Sequence, residues 1–308
     1  MSSGEVEHRP VFRSACGSVA PTPARQSTVS PVAGYRHAAS ADGPDTAPGG
    51  GWSAPYGALM ANPQWTDLAA LPGVSDAVEG TRAAIMALRR HPANRKQWPR
   101  TAAAASIRAA RASAALDGAP LVLEPDSVVI GDPILAGAVR AGSAIGSLAT
   151  VWLRSPLQAL ARLHTLAAAD LVRPDQLGRP RVDDPSVGPG LARFAELVTS
   201  NPWPAPVQVA VAHGQLLTLA PFGAADGVVA RAAARLSMIS TGLDPAGLGV
   251  PEAAHLRSGT RYSELAARFA TGRPADQAEW ILEVCRCLIA GAREGASIAD
   301  AAVDGAKG

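Results

Sequence analysis

From residue 51 onward, the chain is a series of apolar, alanine-rich segments with helical spacing, separated by short stretches of glycine and proline. Alanine makes up about a fifth of the chain and aromatic residues only 4%, a composition that favours helices over strands. We therefore expect an all-α fold. The spacing predicts helices over residues 76–90, 100–116, 132–148, 156–170, 189–199, 205–219, 227–241, 260–271 and 275–303.

Three regions follow from the composition. Residues 1–50 are rich in serine, proline, glycine and threonine and lack apolar periodicity, so we expect a disordered tail, either a solvated extension or a partner-binding segment. We assign residues 51–130 to N-terminal helices and residues 131–308 to a helical core. The one strand-like run, residues 121–130, is interrupted by Pro125.

Composition and charge exclude several classes of protein. Charged residues make up 18% of the chain and apolar residues 47%, so the chain as a whole is not disordered. Cys16, Cys285 and Cys287 are too few for a disulfide framework and lack zinc-ligand spacing. We find no uncharged apolar run of about 18 residues and no basic-then-apolar signal segment. We therefore expect a cytoplasmic protein without a membrane span.

The segment from Val207 to Leu236 has a distinctive layout. Its sequence, VQVAVAHGQLLTLAPFGAADGVVARAAARL, reads as an apolar helix, an Ala-Pro-Phe turn, a loop of small residues and an alanine-rich helix. This layout resembles the Fic (Fido-fold) family, in which the motif HPFx(D/E)GNGRxxR joins two core helices. The helix around His164 and the GxxR turn at residues 178–181 are also similar to the family. SAALDG, residues 113–118, resembles the family's inhibitory helix.

Aligned without gaps, the segment departs from the family motif at five positions. The family's histidine, a general base, aligns with Ala220, and its metal-binding carboxylate aligns with Ala224. A methyl group cannot accept a proton, and Ala224 offers no oxygen to Mg²⁺. We therefore expect no transferase activity, no metal and no cofactor. The other departures are Ala225, Asp226 and Val228, and the retained motif residues are Pro221, Phe222, Gly227 and Arg231.

The retained residues suggest a cleft that has lost its general base and its metal ligand. In the family, the loop leads into a helix N-terminus that holds phosphate. Here we expect Asp226 to cap that helix with a depressed pKa and to repel phosphate. The chain is thus predicted to be a binding or regulatory module, with an unidentified protein or a small anion as its partner. Its vestigial nucleotide cleft would be lined by Phe222, Asp226, Gly227 and Arg231.

The resemblance also implies a regulatory contact. In the family, a glutamate of the inhibitory helix pairs with the last arginine of the motif and blocks placement of the γ-phosphate. Asp117 takes the place of that glutamate, so one interpretation is an Asp117–Arg231 pair supported by Ser113. The other interpretation leaves Asp117 at a helix end and Arg231 on a solvated face. The distance between the two charged groups distinguishes them.

Two other functions remain open. An enzyme of altered chemistry would use Asp226 as acid or base and Arg231 to hold an anionic substrate. A nucleic-acid-binding module would use the basic residues between Arg82 and Arg111, but many of these lie at helix ends and in a loop, so we expect no nucleic-acid partner. Four further candidates are interpreted as structural: the packed His164 and His213 and the turn residues Asp183 and Asp184.

Overall fold

The computed structural model describes residues 68–121 and 131–304, and within them the protein is helical with no strand. A short 3-10 turn, Pro174–Gln176, lies between the fourth and fifth helices. The helices are α1 Val74–Arg90, α2 Asn94–Leu116, α3 Pro133–Arg154, α4 Pro156–Ala167, α5 Val187–Ser200, α6 Ala205–Leu219, α7 Asp226–Ser240, α8 Pro251–Ser258, α9 Thr260–Phe269 and α10 Pro274–Asp304.

The predicted all-α fold is confirmed, with differences at particular helices. Helix α8 was not predicted from the sequence, because this eight-residue helix buries polar residues such as Glu252 and His255 and so lacks an amphipathic pattern. Helix α2 begins six residues earlier than predicted and bends at Gln97, just before Pro99. The expected tail and most of the strand-like run lie outside the described residues, so both remain predictions.

Helix α6 lies in the middle of the bundle. Twelve of its 15 residues are buried, and it contacts α1, α5, α7, α9 and α10. A helix that is apolar on all sides is stable only when neighbours cover every face. Helix α7 packs along α6 and is covered in turn by α2, α3 and α4. The loop that joins α6 to α7 is therefore held between well-packed elements.

Helix α3, Pro133–Arg154, is the one described helix long and apolar enough to cross a membrane by length and composition. A helix in the core of a soluble protein can meet the same criterion. In this protein α3 packs against α2, α4 and α7, and 33% of its apolar stretch is buried. Helix α3 is therefore a partly buried helix of the bundle.

Candidate functional site

The loop between α6 and α7 has an unusual backbone. Ala220, Gly223 and Ala225 all have left-handed conformations, with φ of 41°, 77° and 54°. Alanine rarely adopts this conformation, because its Cβ approaches the backbone. Ala220 ends α6, where its N–H donates to the carbonyl of Leu216 at 3.0 Å. Two strained alanines in six residues require contacts from elsewhere to hold them.

Arg181 supplies such contacts from the preceding turn. Its backbone N–H donates to the carbonyl of Pro221 and its Nε donates to the carbonyl of Ala220, both at 2.9 Å. Its Nη2 donates to Asp184 at 3.1 Å. Asp184 in turn accepts from the backbone N–H and hydroxyl of Ser186. The pair at 183–184 therefore forms a turn, as interpreted from the sequence, and anchors the arginine that clamps the loop.

His164 supports the same loop from α4. Its ring stacks on Phe222 with centroids 4.1 Å apart and planes 5° from parallel. Its Nδ1 accepts from the N–H of Gly178 at 2.9 Å, so the proton of the neutral ring lies on Nε2. Burial lowers the pKa of His164 to about 4, which keeps the ring neutral at physiological pH. His164 is therefore a packed residue that positions Phe222.

The prediction for Asp226 was wrong in two respects. Its carboxylate does not cap α7 but turns back to accept from the N–H of Phe222 at 2.9 Å. Burial raises the pKa of Asp226 to about 7, and the N–H groups of Phe222 and Gly223 offset only part of this effect. The left-handed Ala225 immediately before it turns the chain so that the side chain faces its own loop. Desolvation then outweighs the helix dipole.

The raised pKa predicts a pH-dependent effect of Asp226→Asn. Between about pH 4 and 7 the folded carboxyl is protonated and the unfolded one is ionised, so the wild type loses stability relative to the variant as the pH rises. From pH 4.5 to pH 8, we expect the free energy of unfolding of the wild type to fall by about 2 kcal/mol relative to that of Asp226→Asn. This is less than the whole change in pKa implies, because the side chain is partly exposed. Urea denaturation at both pH values measures it, with Asp76→Asn, at an exposed position in the first turn of α1, as control. A pH-independent difference would contradict the burial argument.

Asp117, at the end of α2, occupies the N-terminus of α7. Its Oδ1 accepts from Arg231 Nη2 at 2.6 Å, and its Oδ2 accepts from the backbone N–H of Val228 at 3.0 Å. A Cβ added to Gly227 would lie 2.3 Å from Asp117 Oδ1, so only glycine lets the carboxylate approach this closely. Asp117 therefore satisfies the free N–H that Asp226 was expected to cap.

Arg231 lies inside the bundle with only 3% of its side chain exposed. Besides Asp117, its Nε donates to the Ser113 hydroxyl at 2.8 Å and its Nη2 to the Ser113 carbonyl at 2.9 Å. The Tyr262 hydroxyl lies 3.5 Å from Nη1 and 2.8 Å from His213 Nε2. These distances agree with the first of the two interpretations of Asp117 and Arg231.

The structure brings the predicted site residues to one place, around the N-terminus of α7. Sequence reasoning missed two residues that shape this place, Arg181 and Tyr262. The GxxR turn at 178–181 was a signal for Arg181, whereas Tyr262 reaches the site only through the packing of α9. The residues predicted from the sequence and found at this site are Ser113, Asp117, Phe222, Asp226, Gly227 and Arg231.

Comparison with solved structures shows that the chain has the Fic fold. The structure is similar to a Fic family protein from Desulfovibrio desulfuricans G20, with a TM-score of 0.58 and 21% identity over 72% of this chain and 74% of that chain. It is also similar to Fic-1 (residues 134–508) from C. elegans, with a TM-score of 0.54 and 15% identity over 76% and 75%. No family model and no curated protein sequence matches the chain.

Proposed function

We propose that this chain is a catalytically inactive Fic-fold protein that works as a binding or regulatory module. The observation that carries the proposal is the position of Asp117, whose carboxylate fills the N-terminus of α7 and pairs with the buried Arg231 at 2.6 Å. The partner would be a protein or a small anion that competes with Asp117 for these groups.

The loop supports the absence of transfer chemistry. The resemblance places the general base at Ala220 and the metal-binding carboxylate at Ala224, and neither side chain can accept a proton or bind a cation. The neighbouring histidines do not replace the base, because His164 is bound to Gly178 and His213 to Tyr262.

The occupied helix N-terminus limits anion binding. The free N–H groups at the N-terminus of a helix attract anions, and the helix dipole adds to this attraction. Helix α7, with 15 residues, has both. In α7, the N–H of Val228 and the guanidinium of Arg231 both already contact Asp117. A phosphate can bind there only if it displaces this carboxylate, and the ion pair between Asp117 and Arg231 is then broken. We therefore expect weak binding of nucleotides unless Asp117 moves away.

Isothermal titration calorimetry with ATP and ADP, each with and without Mg²⁺, tests this proposal. We expect the wild type to bind ATP with a Kd above about 1 mM, and we expect this Kd to be the same with and without Mg²⁺. Asp117→Ala, measured at a temperature at which it is folded, is expected to bind at least about tenfold more tightly. The exposed Asp175→Ala serves as the control for loss of one carboxylate. Tight, Mg²⁺-dependent ATP binding by the wild type would overturn the proposal.

A second candidate function, an enzyme of altered chemistry, is favoured by one observation. Burial raises the pKa of Asp226 to about 7, and a general acid or base works best with a pKa near the working pH. The depressed pKa expected from the sequence would have made Asp226 a poor general acid. Turnover of any nucleotide with a pH–rate profile that shifts in Asp226→Glu and disappears in Asp226→Asn would support this candidate. Equal turnover in the wild type and Asp226→Asn would exclude Asp226 as the acid or base.

A further inference from the structure

A large groove lies away from the site described above, on the face formed by α2, α8 and α10. Its volume is about 790 Å³. The floor is aliphatic and includes Ile107, Leu256 and Ile298. Ile107 and Leu121, which also lines the groove, are 50% and 51% exposed. Large apolar side chains grouped in one exposed concave surface are typical of an interaction site.

Four arginines line the same groove: Arg100, Arg108, Arg111 and Arg257. Glu294 contacts two of them, with Arg108 Nε at 2.5 Å and Arg257 Nη1 at 3.4 Å. Within the described part of the chain, Arg100 and Arg111 make no ion pair. The groove therefore carries an excess of positive charge, and it is complementary to an acidic partner.

The distribution of these charges identifies the kind of partner. Arg100 and Arg111 are 11 residues apart on α2, which corresponds to about 16 Å along the helix axis. An anionic lipid has one charged head and would leave the distant arginine beside its apolar tail. A nucleic acid has charge along its whole length but no aliphatic side chains for a floor built of Ile107, Leu256 and Ile298. An amphipathic helix with an apolar stripe and acidic flanks matches both features.

We propose that this groove binds an acidic amphipathic helix of a partner protein. The helix would lie along α2, with aliphatic side chains on Ile107, Leu256 and Ile298 and with carboxylates beside Arg100 and Arg111. About three helical turns span the 16 Å between the two arginines, so the binding segment has to be at least about 11 residues long. This proposal is independent of the proposed function of the Asp117–Arg231 site.

Fluorescence anisotropy with a synthetic library of labelled 16-residue peptides tests the proposal. Each peptide has a central aliphatic stripe at helical spacing, varied in composition, and glutamates on both flanks. We expect members of the library to bind with a Kd in the micromolar range and to lose at least tenfold in affinity when serine replaces the stripe or lysine replaces the glutamates. Absence of binding by every peptide at 1 mM would overturn the proposal.

Two pairs of charge reversals locate the binding surface. Arg100→Glu with Arg111→Glu changes the groove, and Arg82→Glu with Arg90→Glu makes the same change in charge on the exposed surface of α1. The first pair is expected to weaken peptide binding at least tenfold and the second pair less than twofold. Equal losses would overturn the proposal, because binding would then follow overall charge. Displacement of the peptide by dodecanoate or by a single-stranded DNA of 16 nucleotides, at lower concentrations than unlabelled peptide, would also overturn it.

Discussion

Asp117→Ala is expected to lower the free energy of unfolding by about 3–5 kcal/mol. The substitution removes the carboxylate that neutralises Arg231, and that guanidinium is only 3% exposed. Ser113 and Tyr262 offer hydrogen bonds but no negative charge. The variant also leaves the N–H of Val228 without its acceptor at the start of α7. An uncompensated buried charge costs more than the net strength of the pair that held it.

Urea denaturation measures this loss. Asp175→Ala is the matched control, because it removes one carboxylate from the exposed Arg173–Asp175 pair and is expected to change stability by less than about 1 kcal/mol. Arg231→Met in the Asp117→Ala background removes the unpaired charge and is expected to recover part of the loss. If Asp117→Ala is no more destabilised than the control, the ion pair does not exist in solution.

Gly137→Ala is expected to destabilise the protein by about 3 kcal/mol or more. Gly137 is buried in α3, where that helix crosses α4, and a Cβ at this position would lie 2.0 Å from the carbonyl oxygen of Ala167. The neighbouring atom belongs to the backbone of α4, so no rotation of a side chain relieves the overlap. The two helices would have to separate, and the interior of the bundle would lose its close packing.

Gly146→Ala, in the same helix, is the control for the intrinsic effect of the substitution. Nothing lies within 4 Å of a Cβ added to Gly146, and the residue is exposed. Alanine is therefore expected to stabilise α3 there by about 0.5–1 kcal/mol. Thermal denaturation of both variants gives opposite shifts in Tm if the crossing of α3 and α4 is as close as the structure has it. Two shifts of the same sign would contradict this packing.

The sequence allowed prediction of the fold and of the position of the site, because both depend on local patterns. Alanine-rich segments between glycine and proline predict helices, and Pro221 and Phe222 mark the loop that joins the two central ones. The short helix α8 was not predicted because it has no such local pattern. It buries Glu252 and His255 against neighbours that are distant in the chain.

The chemistry of the site depends on backbone angles and on contacts between residues distant in the chain. For this reason the sequence-based prediction for Asp226 was wrong, and the contact between Asp117 and Arg231 was left with two interpretations. The direction of the Asp226 side chain follows from the left-handed backbone of Ala225. Alanine rarely adopts this conformation, so the sequence does not predict it. The contact of Asp117 with Arg231 joins residues 114 positions apart, and the sequence left two interpretations of equal merit. Only the packing of α2 on α7 distinguishes them.

The proposal that this Fic fold does not transfer a nucleotide can be tested in one assay. The purified protein is incubated with Mg²⁺, a protein extract and ATP that carries ³²P on its α-phosphate. The wild type and Asp117→Ala, which removes the carboxylate at the N-terminus of α7, are assayed side by side. For both forms, we predict no labelled protein above the level of an incubation without the chain. Label that appears on any protein only when the chain is present would contradict it.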